Sequence, residues 1–441
     1  MTTSTRLAGR FRAARALTAA ATALAAMLGM VALAAPAQAA GRVSPGSFTG
    51  YAFDATCTPT QAQMNVWRTT SPFWGVGVYM GGSSMACDDQ SALTTGWVTK
   101  QTRRGWIVLP LWVGPQAACT SYADRIADAP GRNYAAANRQ GRREARRAIA
   151  RAQELGIHKG STLWYDLEDF ALAGDDCRRS ALRFLSGWTE QLHGRGWTSG
   201  VYGNVAAAVH ALDNADKLSP GSYTMPDQIW YAWNNGRANT AIKTRWVRPN
   251  SWRPGDRIHQ YALDTTAGYG GVELHIDRNF VDVGRGSVAP RARHTCGVDL
   301  DFRHYRRLVR GSRGAQVQAL ECLLRQKRKF HRRIDGRFDR ATYRAVKAFQ
   351  RSRDLRVTGR VTKGTWTVLL AEGPSPVLKV GSAQDAVRRV QRALNASVDA
   401  RLRVTGVYNR RTEQRVKRFQ KRHHLDRTGV VAGDTWAALE H

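Results

Sequence analysis

The last third of the sequence contains one pattern twice, and the two copies are offset by a constant 70 residues. The repeated residues are Leu308, Gly311, Gly336, Thr342, Phe349, Gln350, Gly359 and Trp366 in the first copy and Leu378, Gly381, Gly406, Thr412, Phe419, Gln420, Gly429 and Trp436 in the second. Because no insertion separates them, two copies of one small module are the simplest explanation. Apolar residues at helical spacing, with glycines suited to turns, predict about three short helices in each module.

Each copy contains Gly-x-Phe/Tyr-x-x-x-Thr, then Phe-Gln, then Gly-x-Val followed by Thr-Trp. With these elements, spread over about 65 residues, each copy resembles the peptidoglycan-binding domain found at the ends of many cell-wall hydrolases. The resemblance implies two all-α three-helix modules, at residues 306–371 and 376–441, with peptidoglycan as their partner. The repeated aromatic residues are expected in the cores, so they identify the fold better than the ligand contacts. These residues are Phe349, Phe419, Trp366 and Trp436.

The charge of the chain is concentrated in this repeated region. The whole sequence has 67 Lys and Arg against 34 Asp and Glu, a formal net charge of +33. Residues 41–290 carry a net +6, whereas residues 291–441 carry a net +23. Such a balance argues against an ordinary cytosolic metabolic enzyme and indicates a polyanionic partner such as nucleic acid, acidic lipid or an anionic cell wall.

The N-terminus favours the cell wall among these partners. Four arginines precede an apolar, Ala-rich run from about Ala16 to Ala35, and Pro36-Ala37-Gln38-Ala39 follows it. This pattern predicts a secretory signal peptide over residues 1–40, and a membrane anchor is the alternative. No later segment is apolar for 18 residues, so we expect no membrane span in the mature chain. Export also argues against nucleic acid, and we expect a secreted monomer associated with the cell wall.

Between the signal peptide and the repeat, strand-like and helix-like segments alternate. The strand-like segments are residues 51–54, 74–82, 106–114, 161–170, 197–204, 229–235, 257–263 and 275–281. Eight strands with intervening helices predict a (β/α)8-type barrel over residues 41–283, with functional residues at the C-terminal ends of the strands. No long helix pattern separates the last two strands, so the barrel could be incomplete there. Residues 284–305 are interpreted as a linker.

Acidic residues stand at the ends of three predicted strands. Asp54 ends the first, Asp166 and Glu168 end the fourth, and Asp277 lies on the eighth. Residues i and i+2 of a strand share a face, so Asp166 and Glu168 point the same way. If all strands open at one mouth, the four acids converge. Clustered carboxyls raise one another's pKa, which suits a general acid for glycosidic bond cleavage; for any single acid, a solvated or salt-bridged role is the alternative.

Aromatic residues near the same strand ends could supply flat faces for sugar rings, with core packing as the alternative. They are Trp112, Tyr202, Trp230 and Trp233. No other motif competes well with this interpretation. His158, His210, His259 and His275 show no metal-ligand spacing, and no Cys-x-x-Cys is present, so we expect no metal and no cofactor.

Several segments of this region carry a second resemblance. They are YAFDATCTP, the Asp-x-Glu of WYDLEDF, GVYGN, IWYAW and IHQYA with YGGVELHIDRNFVD. Over about residues 48–283 they resemble the family 25 lysozymes and, more closely, a glycoside-hydrolase-like family of exported actinobacterial proteins.

The resemblance implies a role for each of the four acids. Glu168 would be the general acid, and Asp54 would tune the pocket. Asp166 and Asp277 would position the substrate, whose acetamido group would act as internal nucleophile. Two further residues of the matching segments are candidates for substrate binding, namely Gln260 and Asn279.

The six cysteines after the signal peptide predict three disulfides in an exported chain. Four of them follow strands one to four, so their loops lie on one face of a parallel barrel. Neighbouring loops are close, which favours Cys57–Cys87 and Cys119–Cys177. Cys322 has no counterpart in the second copy, where Arg392 stands, and Cys296 in the linker is its nearest partner.

Together these patterns predict a secreted muramidase-like glycoside hydrolase, held on peptidoglycan and anionic wall polymers by two C-terminal modules. A non-catalytic wall- or polysaccharide-binding protein that kept the barrel is the alternative. A different glycan, such as a capsular or mycelial polysaccharide, is a third hypothesis.

Overall fold

The computed structural model describes residues 43–253, 255–292 and 296–441. The predicted signal peptide, residues 1–40, lies outside these residues. Among the helices within them, none is long and apolar enough to cross a membrane.

Eight strands close into a barrel in sequence order. They are β1 Phe48–Asp54, β2 Gly75–Gly81, β3 Ile107–Trp112, β4 Thr162–Asp166, β5 Thr198–Asn204, β6 Gln228–Ala232, β7 Asp256–Tyr269 and β8 Val272–Val283. Strands β1 to β7 are parallel, but β8 is antiparallel to both β7 and β1. The expectation of one parallel barrel is therefore wrong for β8, because the two-residue turn Gly270-Gly271 reverses the chain after β7. The barrel nevertheless closes completely.

Five helices surround the strands, one in each connection from β1 to β6. They are α1 Gln61–Thr70, α2 Thr95–Arg103, α3 Gly131–Glu154, α4 Asp175–Gly194 and α5 Ala208–Leu218. Thr60 and Gln63 form a capping box that starts α1. Large rings such as Trp67, Trp188 and Tyr165 fill the layer between strands and helices, all at 0% exposure. Among the described residues, the connections from β6 to β7 and from β7 to β8 contain no helix.

The basic region forms two three-helix modules. Module 1 contains α6 Ala315–Gln326, α7 Arg340–Arg351 and α8 Lys363–Ala371, and module 2 contains α9 Asp385–Ser397, α10 Arg410–Arg422 and α11 Gly433–Glu440. Bridges Leu308–Val361 and Leu378–Val431 close the modules at equivalent positions. The four repeated aromatic residues are buried, as the repeat predicts. The cores of the two modules merge into one hydrophobic cluster.

Module 2 packs against the barrel at the end of α1 and beside the start of β2. Lys379 is 1% exposed, and its Nζ donates to the carbonyl oxygens of Arg68 and Ser71 at 2.9 and 3.0 Å. The same ammonium lies 4.4 and 5.0 Å from the ring centroids of Trp74 and Trp106. Burial, with a smaller contribution from Arg68, lowers the pKa of Lys379 well below its usual range. The buried side chain of Lys379 thus links module 2 to the barrel.

The structure contains the three predicted disulfides, two expected from the order of the strands and one from the comparison of the two copies. Cys57–Cys87, Cys119–Cys177 and Cys296–Cys322 have Cα atoms 5.3, 5.8 and 5.9 Å apart. The third joins the predicted linker to α6. The same segment reaches module 2, since Arg392 Nε donates to Asp301 at 2.7 Å and Asn395 Nδ2 to the Phe302 carbonyl at 2.9 Å. The linker is therefore bound to both modules.

Candidate active site

Four acidic side chains meet at the mouth of the barrel. Asp54 is the last residue of β1 and lies opposite Asp277 of β8 in the strand register. Asp166 is the last residue of β4, and Glu168 follows two residues later. Although β8 runs in the opposite direction, Asp277 still lies beside Asp54. The register places both residues at the same height along the barrel axis. The acids are close enough that neighbouring charges raise the pKa of several members.

Asp54 and Asp277 are held by one buried amide. Gln260 Nε2 donates to Asp277 Oδ2 at 2.9 Å and to Asp54 Oδ2 at 3.4 Å, while its Oε1 accepts from Tyr202 at 2.8 Å. Asn279 Nδ2 donates to Asp54 Oδ1, and Trp230 Nε1 orients Asn279 by donating to its Oδ1 at 2.7 Å. Gln260 and Asn279 are fully buried, so they position the carboxyls. A backbone amide, that of Asp264, also donates to Asp277 Oδ1 at 2.7 Å.

Asp166 and Glu168 are positioned differently. Buried Gln116 spans the turn that connects them: its Nε2 donates to the Asp166 carbonyl at 3.0 Å and its Oε1 accepts from the Glu168 amide at 2.8 Å. Asp166 is 1% exposed, and its Oδ1 has no hydrogen-bond partner among the described residues. Glu168 is half-buried at the rim. The pair thus offers one buried, unpaired acceptor and one accessible carboxyl.

The electrostatics favour protonated carboxyls in this cluster. Burial, followed by the charge of Asp277, raises the pKa of Asp54 to about 7. Burial and the charge of Glu168 raise the pKa of Asp166 well above its usual range. Burial, then the charges of Asp169 and Asp277, also raise the pKa of Glu168. Burial is the main cause of the raised pKa of Asp277. Protons are therefore retained here at a pH where exposed carboxyls have lost them.

Two of the aromatic candidates lie where no sugar could reach them. Trp112 packs between β3 and α3, and its Nε1 donates to Glu144 at 2.9 Å. Trp230 is 0% exposed inside the barrel, edge-on to Trp164 and Tyr202. We correct the expectation for both: Trp112 faces the helix layer, and Trp230 supports Asn279. Tyr202 is 9% exposed and holds Gln260, whereas Trp233 is half-buried just after β6 and its ring lies against that of His259.

Three residues near the acids were not predicted from the sequence. Tyr79 donates from its hydroxyl to Asp54 Oδ2 at 3.2 Å. Tyr79 lies near the end of β2 on the same face as Gly77, which is the register partner of Asp54. The period of two in a strand could therefore have indicated that Tyr79 lies near Asp54. Gln116 lies in the loop after β3, where no periodicity indicates its direction. Tyr122, 37% exposed in the same loop, lies close enough to Glu168 and Asp166 for their charges to contribute to its raised pKa. Tyr122 is thus an exposed ring beside the acids.

Sequence patterns of known families match both regions. Residues 65–281 match the Rv2525c-like, glycoside hydrolase-like domain. The chain carries an Rv2525c-like, glycoside hydrolase-like domain. Residues 313–369 and 383–439 each match the peptidoglycan binding domain PG_binding_1, so two such domains follow it. No curated protein gives a significant match to the chain.

Several solved structures are similar to about half of the chain. An uncharacterized protein of B. stearothermophilus is 20% identical over 53% of this chain and 95% of that one, with a TM-score of 0.33. A family 25 glycosyl hydrolase of Bacillus anthracis is 14% identical over 53% and 89%, with a TM-score of 0.33. The spore cortex lytic enzyme SleM of Clostridium perfringens is 13% identical over 53% and 67%, with a TM-score of 0.32. At these values we transfer no function from the three structures.

The Rv2525c-like domain therefore contains two kinds of carboxyl at one mouth. Asp54 and Asp277 are fixed by amide donors, while Glu168 is accessible and Asp166 lacks a partner. Such a set can give a proton to a leaving group, accept an N–H from a bound molecule and stabilise a developing positive charge. In the part of the chain that the structure describes, no three His, Cys, Asp or Glu residues form a cluster suited to a metal ion.

Proposed function

We propose that the protein is an exported cell-wall hydrolase that cleaves the β-1,4 bond between N-acetylmuramic acid and N-acetylglucosamine. One observation carries the proposal: an accessible Glu168 with a raised pKa stands beside a buried Asp166 whose Oδ1 is unpaired. The first supplies a proton donor, and the second supplies an acceptor for an amide N–H. An N-acetylated sugar provides both a glycosidic oxygen and an acetamido N–H.

The reaction follows from these positions. Glu168 donates its proton to the glycosidic oxygen as the bond to the anomeric carbon breaks. Asp166 Oδ1 accepts the acetamido N–H, which turns the acetamido oxygen toward the anomeric carbon for attack. Ionised Glu168 then takes a proton from the water that opens this intermediate, so the donor is regenerated. Asp54 and Asp277, locked by Gln260, supply negative charge beside the developing oxocarbenium ion.

The modules would keep the barrel on its insoluble substrate. Binding through two further sites raises the local concentration of the glycan without any new contact in the catalytic mouth. The net +23 of residues 291–441 adds a salt-sensitive attraction to wall polyanions. Binding the wall does not require carboxyls that keep their protons, so the raised pKa values of the acid cluster are our reason to rank hydrolysis above the non-catalytic alternative.

Digestion of purified peptidoglycan tests the proposal. We expect soluble fragments with new reducing ends at N-acetylmuramic acid, identified by mass spectrometry after borohydride reduction. Glu168→Gln should lower the rate by roughly 10²–10⁴-fold with its fold intact, because only the proton donor is removed. Glu154, an exposed glutamate of α3 outside the acid cluster, allows the same change, so Glu154→Gln serves as the matched control and should alter the rate no more than a few-fold. Reducing ends at N-acetylglucosamine would contradict the bond assigned. An inactive wild-type protein would favour the non-catalytic alternative.

A further inference from the structure

A cavity of about 600 Å³ lies where module 2 meets the barrel. Five cationic side chains line it: Arg237 and Arg278 from the barrel, and Arg410, Lys417 and Arg427 from module 2. Glu413 is the one carboxylate among its lining residues. The cavity is separate from the acid cluster, because Arg278 and Asp277 are consecutive in β8 and point to opposite sides of the barrel wall.

The internal contacts leave most of this positive charge uncompensated. Lys417 Nζ lies 2.8 Å from Glu413 Oε1. Arg410 donates to the Ala238 carbonyl at 3.0 Å, and Arg278 Nε to the Thr265 hydroxyl at 3.2 Å; both acceptors are neutral. Within the described residues, exposed Arg237 and Arg427 form no ion pair. Like charges brought together from two domains repel each other, and a bound anion would remove that cost.

The remaining lining suits a carbohydrate. Three half-buried tyrosines from the barrel share the cavity with the cations, namely Tyr51, Tyr261 and Tyr269. Tyrosine offers an apolar ring for a sugar face and a hydroxyl for hydrogen bonds. Arginine offers a planar fork of donors that matches phosphate and carboxylate oxygens.

We propose that this cavity binds an anionic carbohydrate, whose phosphate or carboxylate groups contact the arginines while its rings lie against the tyrosines. The site goes beyond the proposed hydrolysis and does not depend on it, because it shares no residue with the acid cluster. It is built jointly by the barrel and module 2, which the buried Lys379 helps to hold together.

Binding of defined probes to the full-length protein tests the site. The probes are poly(glycerol phosphate), oligogalacturonate and neutral chitotetraose, measured by calorimetry at about 0.15 M salt, where exposed charges are screened beyond about 8 Å. The double variant Arg237→Gln with Arg427→Gln should lower the affinity for the anionic probe by roughly 10- to 100-fold, since each lost charge-assisted contact is worth about tenfold. Arg237→Lys with Arg427→Lys should recover much of the loss.

A matched control separates the site from overall charge. Arg310 and Arg403 are equally exposed and lie outside the cavity, so Arg310→Gln with Arg403→Gln removes the same net charge. If the cavity pair loses affinity for poly(glycerol phosphate) alone, the ligand is a phosphodiester polymer. If it loses affinity for oligogalacturonate alone, the ligand is a carboxylate polymer. Equal loss in the control pair, or no loss in the cavity pair, would overturn the proposal. None of the probes contains muramic acid, so such a result would leave the proposed hydrolysis untouched.

Discussion

The buried glutamines of the two modules and the buried Asp166 at the barrel mouth differ in how far their hydrogen-bonding groups are satisfied. In the modules the buried amides of the repeated Phe-Gln element are saturated with hydrogen bonds. In the barrel, Asp166 is as deeply buried, yet its Oδ1 has no partner among the described residues. A buried polar group that is satisfied stabilises the fold, whereas one left unpaired costs stability and remains available for a ligand.

The saturated arrangement is the same in both modules. Gln350 Oε1 accepts from the Gly359 amide at 2.9 Å, and its Nε2 donates to the Arg360 carbonyl at 2.9 Å. Gln420 makes the equivalent bonds to Gly429 and Val430 at the same two distances. The repeated Phe-Gln element therefore ties the second helix of each module to the turn before its third helix. Its role is structural.

The first prediction breaks this saturation and has the largest expected effect on stability. Gln420→Leu leaves the buried Gly429 amide without its partner and removes one of two donors to the Val430 carbonyl, which keeps Thr435 Oγ1 at 3.3 Å. A buried unpaired group costs about 1–3 kcal/mol and a lost hydrogen bond about 1 kcal/mol, so we expect the free energy of unfolding to fall by roughly 2–4 kcal/mol in denaturant titrations. Hydrolysis of short soluble glycans, which need no module, should be unchanged.

The same helix offers a matched control. Gln414 is exposed on α10, so Gln414→Leu makes the same chemical change without removing a buried contact. We expect it to alter the free energy of unfolding by less than about 0.5 kcal/mol. Equal destabilisation by both variants would show that the Phe-Gln element is not special.

The second prediction concerns the unsatisfied carboxyl of the barrel. Asp166→Asn should increase the free energy of unfolding by about 1 kcal/mol at neutral pH, while hydrolysis falls, because it removes a buried carboxyl whose ionisation the fold disfavours. The pKa of Asp166 is raised in the folded state, so the folded protein binds the extra proton and the wild type loses stability as pH rises above about 4. The advantage of the variant should therefore grow with pH and vanish below about 4. A variant less stable than wild type at every pH would contradict this account.

The third prediction is the smallest and concerns coupling within the acid cluster. Asp277→Asn removes a negative charge that raises the pKa of Glu168. The descending limb of the pH dependence of kcat/KM should then move to lower pH. Asp264→Asn removes a 90% exposed charge nearby and should move it less, since solvent screens exposed charges. A limb that stays in place in Asp277→Asn would mean that the two acids titrate independently.

The sequence predicted internal packing better than the contacts between domains. The repeat predicted both modules, yet it gave Val309 and Lys379 equivalent positions. Val309 is 38% exposed, whereas Lys379 is buried against the barrel. The third helices differ for the same reason, because α8 is buried over Thr365–Ala371 between the modules, while α11 buries only one face. A pattern that both copies share cannot indicate contacts that only one copy makes.

The site was predictable where spacing fixed direction. Asp166 lies in the predicted fourth strand and ends β4, but Glu168 lies two residues beyond β4, where the i, i+2 rule no longer applies and Gln116 holds the backbone instead. The direction of Trp112 was not predictable, because β3 is apolar on both faces and its pattern cannot distinguish inside from outside. Gln116 lies in a loop, whose path depends on tertiary contacts rather than on periodicity.

The most direct test of the account is the pH dependence of peptidoglycan cleavage by the wild-type protein and by Glu168→Gln. Because the pKa of Glu168 is raised, activity should persist well above the pKa of an ordinary glutamate, about 4.3, before the descending limb begins. In Glu168→Gln the residual rate should lack that limb. A wild-type limb near 4.3, or the same limb in both proteins, would contradict the claim that Glu168 is the retained proton donor.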